Sequence, residues 1–366
     1  MVIAIRVYEL GGPEVLKWED VKIGDPKEGE IRVKNKAIGV NFIVIYFRTG
    51  VYKVPEIPYT LGTEAVGVVI AIRAGMCDLT IGDVVYHLGS ATGTYAEEQI
   101  VLADKEMPLP PIDPLVVASA MVKGLNARFI VRTWFKNIHS QPKVTEELES
   151  QTQELSEEDT TPNDVEASSR SNSYVEQGHK VVVNTAVGGV WSLLCQWENM
   201  LGAIVIGTVS TKEKALQAKE DGCHHVILYK EKDLVTRVVE ITSEEGVDVV
   251  FDSVGKDTFQ GSLACLKHRG YMVSYGQSSG TPDPVSLSSL ATESLFLTRP
   301  SVRTSAFSKD EMHEAMKEVL ANVASGTLRV RVNHIYPLSQ ATQAHADMAG
   351  RKTSGSIVLI PDGVEQ

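Results

Sequence analysis

The sequence predicts an α/β fold with two domains, an antiparallel barrel-like β domain and a doubly wound parallel sheet covered by helices. The chain has 366 residues, which exceeds the usual size of one domain. Its first part, roughly 120 residues, contains short β-branched runs separated by glycine and proline. From about residue 175, apolar strands alternate with helical stretches, a pattern typical of a parallel sheet with helices on both faces.

The elements follow in chain order from these patterns. In the first part, β-branched runs predict strands at 31–34, 65–72 and 83–86. In the second part, strands are predicted at 180–183, 203–209, 225–228 and 247–252, with helices at 192–201, 212–221 and 233–242. Because a helix follows each of the first three of these strands, they should run parallel.

Composition excludes several classes of function. A net charge of −12 argues against a nucleic-acid surface, and no basic stripe with interleaved aromatic residues is present. No run approaches the roughly 18 uncharged apolar residues of a membrane span, and Arg6 stands where a secretion signal would be apolar. We therefore expect a cytoplasmic protein. The cysteines, Cys77, Cys195, Cys223 and Cys265, are dispersed and should be buried small residues rather than disulfides or zinc ligands.

Residues 138–174 interrupt the second part with a different composition. They hold nine acidic and two basic residues and few large apolar ones. Such a segment cannot bury enough surface to offset its ordering entropy, so the sequence predicts a disordered insertion. It is interpreted as a tolerated surface loop or as a segment that a gene model failed to remove, and an acidic docking arm is the alternative.

A glycine turn follows the strand at 180–183 and precedes a helix. In this setting a G-x-G-x-x-G pattern predicts a dinucleotide site, because the helix N-terminus offers free N–H groups to a diphosphate. Ala186, Gly188 and Trp191 occupy the three glycine positions, and Gly189 and Val190 lie between the last two. The indole of Trp191 should either push the helix away from its strand or swing toward the cofactor groove.

The end of the next strand favours NADPH over NADH. An NAD site places an acid there, whereas an NADP site offers neutral and basic groups to the 2′-phosphate. Here the strand at 203–209 is followed by Ser210, Thr211 and Lys214. The alternative is a solvated helix start that Ser210 or Thr211 caps.

Long collinear stretches resemble one family, the zinc-free, zeta-crystallin-like quinone oxidoreductases of the medium-chain dehydrogenase/reductase superfamily, in a plant-like version. The resemblance covers nearly the whole chain except 138–174. The stretches that carry it are YELGGPEVL (8–16), AIGVNFI (37–43), YFRTGVY (46–52), GTYAEE (93–98), LGAIVIGTVS (201–210), FDSVGKDTF (251–259), SLFLTRP (294–300) and RKTSGSIVLIP (351–361).

The resemblance implies an architecture and an activity. It implies a GroES-like barrel domain from residues 1–125 and 300–366, and a Rossmann domain from 126–299 that the acidic insertion interrupts. It also implies NADPH as hydride donor, a quinone or α,β-unsaturated carbonyl (enone) as acceptor, and a homodimer.

Individual positions also carry over from the family. Asn41, Tyr46 and Tyr52 match residues of its substrate cleft, with Arg48 between them. Tyr and Asn suit a quinone, because they can donate hydrogen bonds to a carbonyl while aromatic faces stack on the ring. Ordinary packing with solvated hydroxyls is the alternative. The resemblance assigns Lys214, Tyr229 and Arg351 to the 2′-phosphate end, and Asn126 and Gln277 to positions near the nicotinamide.

Metal chemistry is not expected. The zinc-dependent relatives supply a cysteine and a histidine where this chain has Val40 and Thr63. His224 and His225 are adjacent, and adjacent side chains of a strand point to opposite faces.

Several departures from the family gather around the cofactor site, and they keep a second hypothesis open. Val44 replaces an acid that the family has in the cleft, and Trp191 replaces a glycine. Asn184, Thr185 and Asn126 also differ from the family. The first hypothesis is an NADPH-dependent reductase. The second is a relative that binds cofactor poorly and acts as a binding or scaffold protein.

Overall fold

The computed structural model describes residues 1–54, 56–73, 78–89, 93–139, 177–300 and 308–363. The predicted insertion at 138–174 lies outside the described residues, except that its first two residues end a helix. Cys77 also lies outside them. The predicted α/β fold class is confirmed, with one mostly antiparallel sheet, one parallel sheet and a small three-stranded sheet.

The largest sheet takes strands from both ends of the chain. Its order is β15-β16-β3-β5-β6-β8, and β7 pairs with β3. All neighbours are antiparallel except β15 and β16. A separate sheet of order β2-β1-β4 packs beside it. These strands are β1 Val2–Val7, β2 Leu16–Val21, β3 Glu30–Val40, β4 Tyr59–Thr60, β5 Glu64–Ile72, β6 Val84–Leu88, β7 Glu98–Leu102, β8 Met107–Pro108, β15 Val332–Pro337 and β16 Ser356–Ile360.

The second sheet has six parallel strands in the order β11-β10-β9-β12-β13-β14. The first strand of this sheet, β9, therefore lies in the middle. Successive strands are added first on one side of β9 and then on the other, and this switch creates a crevice at the carboxyl ends of the strands. The predicted strands of this part are confirmed, because both faces of the sheet are covered and the apolar runs are continuous. The strands are β9 Lys180–Val183, β10 Ile204–Val209, β11 His225–Leu228, β12 Val247–Asp252, β13 Leu266–Ser274 and β14 Phe296–Thr298.

Local signals determine where several helices begin. The side chain of Thr211 accepts a hydrogen bond from the N–H of Lys214, and Ser308 forms a capping box with Glu311. The helices are α1 Ile43–Arg48, α2 Pro114–His139, α3 Gly189–Met200, α4 Lys212–Glu220, α5 Leu234–Thr242, α6 Phe259–Ala264, α7 Ser288–Ala291, α8 Lys309–Ala324 and α9 Ala341–Ala349, with 3₁₀ turns at Pro13–Val15, Ala103–Lys105 and Leu338–Gln340.

Helix α2 joins the two large sheets. It packs against α3 and α8 on one side and against β3, β5 and β16 on the other, so one apolar core is continuous between the sheets. The domain boundary predicted at residue 125 falls within this helix. Its segment Pro114–Val131 is long and apolar enough to pass for a membrane span, but 67% of it is buried inside the protein. Lys123 and Arg128 lie in it.

The cysteines of the described part behave as predicted. Cys195, Cys223 and Cys265 are free and buried. Cys195 and Cys223 contact each other, with their sulfur atoms 3.5 Å apart.

Candidate active site

A cavity of about 1720 Å³ lies between the two large sheets. One wall comes from α1 and the loop after it, the opposite wall comes from the carboxyl ends of β9, β10 and β12, and α2 contributes a third side. Such a position, at the switch point of a parallel sheet and between domains, is where α/β proteins bind ligands. Among the predicted site residues, the cavity is lined by Asn41, Tyr46, Tyr52, Asn126, Gly188, Gly189, Val190, Ser210, Lys214, Tyr229 and Arg351.

The glycine turn opens helix α3 at one wall of this cavity. Gly188 is the N-cap residue, and no side chain caps the helix there. No side-chain acceptor therefore competes with a ligand for the N–H groups of the first turn, which lie in the field of the helix dipole. A bridge between Gly188 and Gly355 ties the turn to the segment that leads into β16. Ala186 does not line the cavity, since it is fully buried and its N–H donates to the carbonyl of Thr208.

Trp191 leaves the start of helix α3 intact. Its side chain is only 6% exposed and lies edge-on to Tyr275, with ring centroids 5.5 Å apart. The indole also covers Gly188, because a Cβ atom there would lie 2.9 Å from its Cδ1. Of the two predicted outcomes, displacement of the helix or an indole turned toward the cofactor groove, the structure shows the second only in part. It forms part of the cavity wall, and most of its surface is in the core.

The residues before the turn form a polar network that sequence reasoning did not find. Thr185 has a φ of 62°, which is unusual for a β-branched residue. Its N–H donates to Oγ1 of Thr208 at 3.0 Å, and Nδ2 of Asn184 donates to Oγ of Ser262 at 2.9 Å. Ser262 of α6 in turn donates to the carboxylate of Asp252 at the end of β12, at 2.7 Å. The network therefore links the ends of β9, β10 and β12, and hydrogen bonds accommodate the departures at Asn184 and Thr185.

Some residues predicted for the 2′-phosphate end line the cavity, and one caps a helix instead. Ser210, Lys214 and Tyr229 line the cavity, and Lys232, which was not predicted, joins them. Thr211 is instead the N-cap of α4, as the alternative interpretation expected, and its hydroxyl is occupied by the N–H of Lys214 at 3.3 Å.

Arg351 also lines the cavity. Its guanidinium is 3.9 Å from the carboxylate of Asp257, and both side chains are more than half exposed. Such a pair is weak and leaves the guanidinium free to contact a ligand.

Two tyrosines form the apolar part of the cleft. The rings of Tyr46 and Tyr52 lie 5.1 Å apart in an edge-on arrangement. The Tyr46 hydroxyl accepts a hydrogen bond from the N–H of Gln277 at 3.1 Å, and burial raises its pKa. The Gln277 side chain does not line the cavity, because its Oε1 accepts a hydrogen bond from Arg299. Only the backbone of Gln277 therefore reaches the cleft.

The prediction that Arg48 lies in the cleft is wrong. Its side chain is buried on the other side of α1, where it donates to the carbonyl of Gly11 and to Nδ1 of His345 at 3.0 Å. Residues two apart on a helix point to nearly opposite sides, so Arg48 and Tyr46 cannot share the cavity. For the same reason, the acid replaced by Val44 would not line this cavity, since Val44 is packed in the barrel core.

Sequence reasoning missed a buried ionic cluster at the base of the cavity. The carboxylate of Glu64 accepts hydrogen bonds from Asn41 at 2.6 Å, from the Tyr86 hydroxyl at 3.0 Å and from the N–H of Val122 at 3.2 Å. Nζ of Lys123 lies 3.8 Å from Oε1 of Glu64. The signal for this cluster in the sequence is a lysine, Lys123, within the apolar run 115–125.

Burial has opposite effects on the two charged groups of this cluster. It raises the pKa of Glu64 and lowers the pKa of Lys123, and the attraction between them opposes both shifts. Three hydrogen-bond donors favour the ionised carboxylate, so we infer a charged pair. Among the described residues, no group of three His, Cys, Asp or Glu side chains could hold a metal ion.

Replacing Trp191 tests whether its indole is part of the core. We expect Trp191→Ala to lower the free energy of unfolding by about 3 kcal/mol, because a large buried side chain is lost. Urea unfolding followed by circular dichroism measures this. Trp18→Ala, at a position 40% exposed, is the control. A loss no larger than that of the control would show that the indole contributes no core packing.

His345 should make stability fall at acid pH. Burial lowers its pKa from 6.5 to about 3, and Arg48 adds repulsion. A neutral histidine is therefore favoured in the folded state, and the stability it contributes is complete above pH 6.5 and is lost as the pH falls toward 3. Relative to His345→Gln, the native protein should lose about 2 kcal/mol more between pH 7 and pH 5. Parallel stability profiles in urea would contradict this, and the exposed His268→Gln is the control.

Comparisons with known proteins agree with this geometry. The family model described as "Alcohol dehydrogenase GroES-like domain" matches residues 27–111, and the one described as "Zinc-binding dehydrogenase" matches 222–359. The chain is 38% identical to quinone oxidoreductase 1 of Escherichia coli (99% of this chain, 100% of the relative), and 37% identical to a 2-haloacrylate reductase of a Burkholderia species (99% of each). The crystal structure of an Escherichia coli quinone oxidoreductase complexed with NADPH superposes with a TM-score of 0.83 at 37% identity, covering 98% of this chain and 100% of that one. The chain belongs to the quinone oxidoreductase family, the zinc-free type of the medium-chain dehydrogenase/reductase superfamily.

Proposed function

We propose that this protein is an NADPH-dependent reductase that transfers a hydride to a quinone or another α,β-unsaturated carbonyl compound. The observation that carries the proposal is one cavity with two chemically different ends. An uncapped helix N-terminus forms one part of its wall, and a pair of tyrosines with Asn41 forms another. A relative crystallised with NADPH, and relatives named quinone oxidoreductase and 2-haloacrylate reductase, support the same activity.

The residues at the first end fit a phosphorylated dinucleotide. The N–H groups at the start of α3 would hold the diphosphate, whereas the N–H of Gly188 already donates to the carbonyl of Thr185 at 3.0 Å. A side chain at Gly188 would collide with Trp191. Ser210, Lys214, Tyr229 and Arg351 would surround the 2′-phosphate, since β10 is followed by Ser210 and no acid. When bound, the cofactor supplies the hydride, and the protein supplies binding and orientation.

The residues at the second end fit a flat carbonyl compound. The Tyr46 hydroxyl accepts from Gln277, so its own proton is available for an acceptor oxygen. Asn41 has one N–H engaged by Glu64, which orients the amide and leaves the second N–H for the same oxygen. The ring of Tyr52 completes an apolar surface on which a quinone can stack. These groups provide orientation, which can contribute a large part of the rate enhancement.

The proposal includes a cytoplasmic homodimer. Strand β14 lies at the edge of the parallel sheet, where its Phe296 and Leu297 are partly exposed, and Phe296 stacks on Tyr271 at 4.5 Å. An exposed apolar edge strand is a ready surface for a second copy, which would pair with it about a twofold axis.

Cofactor titration tests the proposed activity. We expect NADPH to bind at least about tenfold more tightly than NADH, which corresponds to roughly 1.4 kcal/mol. Lys214→Gln should reduce that preference severalfold, because it removes a charge from the 2′-phosphate end. Titrations with NADPH and with NADH, each followed by the fluorescence of its reduced nicotinamide, measure the two affinities. Lys219→Gln on the same helix is the matched control.

The same titration decides between the two hypotheses. The alternative, a scaffold protein with a weakened cofactor site, rests on the position of Trp191 in the cavity wall beside the turn. No NADPH binding at millimolar concentration would establish the scaffold alternative.

The dimer is tested by a charge placed on its edge strand. We expect a native mass of about twice the 39.9 kDa chain by light scattering after gel filtration. Leu297→Glu should shift the protein to the monomer mass, because like charges would meet across the twofold axis. Leu216→Glu introduces the same charge on the exposed face of α4. Equal masses for the two variants would rule out this edge as the interface.

A further inference from the structure

Lys123 is a buried cation without a hydrogen bond. Its side chain is 5% exposed, and its Nζ finds no hydrogen-bond partner among the described residues. Its nearest opposite charge, Oε1 of Glu64, is 3.8 Å away, beyond hydrogen-bond range. A buried ammonium with three unused donors is costly and calls for a partner that comes from elsewhere. Lys123 is among the residues that line the cavity, so a ligand bound there is close enough to be that partner.

The surroundings explain why Glu64 does not satisfy the ammonium. Oε1 of Glu64 already accepts from Asn41, and Oε2 accepts from Tyr86 and Val122. Glu64 therefore attracts Lys123 through charge at 3.8 Å, while three other donors hold the carboxylate in its place. In the described part of the chain, Glu64 on β5 is the charged group against Lys123, and Tyr86 on β6 reaches it only through Glu64.

Lys123 lies between the two ends of the proposed site. On one side, a Cβ atom at Gly189 would lie 2.7 Å from its Cδ and 2.8 Å from its Cε, so its stem packs on the glycine turn. On the other side, it shares Oε1 of Glu64 with Asn41 of the acceptor end. The ammonium is thus next to the place where the donor and the acceptor of the hydride must meet.

We propose that Lys123 is the acid that completes the reduction, and that Glu64 is a positioning residue that holds its ammonium at the acceptor. This inference rests on the proposed function. Hydride adds to one end of the acceptor's conjugated system, and the π electrons move to its carbonyl oxygen. That oxygen takes a proton from Nζ, so an O–H bond forms while an N–H bond breaks. The neutral amine then takes a proton from water, and the acceptor has gained two electrons and two hydrogens.

Acidity favours Lys123 over the nearby phenol. Burial raises the pKa of Tyr46 above 10, which makes its hydroxyl a poorer proton donor at neutral pH. Burial lowers the pKa of Lys123, which makes its ammonium a better one. A general acid is most effective when its pKa approaches the working pH. Tyr46 then orients the carbonyl oxygen, and Lys123 protonates it.

The pH dependence of kcat/KM tests the proton transfer. Activity of the native protein should fall as rising pH deprotonates Lys123. Glu64→Gln removes the charge that raises the Lys123 pKa, so this fall should move to lower pH. Lys123→Met should reduce kcat about 100-fold or more and abolish this alkaline fall. Lys317→Met, at an exposed position of α8, is the control.

Two binding measurements separate this role from others. NADPH affinity, read by fluorescence, should change less than about threefold in Lys123→Met, while affinity for 4-nitrophenolate, a mimic of the reduced anion, should fall about tenfold. Lys123→Met with unchanged kcat and pH profile overturns the inference. The inference is also overturned if Lys123→Met loses NADPH affinity and Glu64→Gln leaves the pH of the alkaline fall in kcat/KM unchanged. Lys123 would then be a cofactor ligand. If native protein fails to bind NADPH, the proposed function itself fails. If Lys123→Met does not fold, the shift in Glu64→Gln alone decides.

Discussion

The site depends on the close packing of helix α2 against the glycine turn that opens α3. This packing brings Lys123 of α2 onto Gly189, and it places the Lys123 ammonium 3.8 Å from the buried carboxylate of Glu64 in the barrel. Gly39 is part of the same constraint, since a Cβ atom there would lie 2.2 Å from Oε1 of Glu64. A side chain at Gly39 or Gly189 would force the sheets apart or displace the ionic cluster. Glycines on both sides of helix α2, Gly39 in the barrel and Gly189 in the turn, thus allow the close packing that brings the charged pair to the base of the cavity.

Trp191 changes the shape of this cavity more than the course of the backbone. The indole is supported by Tyr275 and by the core behind it, so helix α3 still begins at Gly189 with an uncapped first turn. The polar network of Asn184, Thr185 and Thr208 then holds the strand ends in register beneath the turn. Bulk at the third glycine position is thus absorbed on the core side, and the N–H groups that a diphosphate needs are kept. The departures from the family are consistent with a reshaped site that still binds its cofactor.

Periodicity in the sequence predicts much of the fold, because β9, β10, β11 and β12 are largely apolar runs and a helix follows each of the first three. It does not predict β13, whose sequence LKHRGYMVS is not a continuous apolar run, or the short β14. The cleft residues Asn41, Tyr46 and Tyr52 are predicted only by the family resemblance. The sequence does not show in which direction a side chain points or how deeply it is buried. Proximity to Tyr46 in the sequence predicts Arg48 in the cleft, but the turn of helix α1 directs its side chain to His345 instead. Lys123 was overlooked because its burial results from three elements that are distant in sequence. The capping role of Thr211 was open until the start of α4 was known.

The central claim is that the glycine turn holds a dinucleotide diphosphate while the indole stays where it is. A crystal structure of the protein with NADPH tests this most directly. The account predicts diphosphate oxygens within hydrogen-bond distance of the first-turn N–H groups of α3, with Trp191 still edge-on to Tyr275. Crystals grown at saturating NADPH that show no density for the diphosphate, or an indole occupying its place, would contradict it.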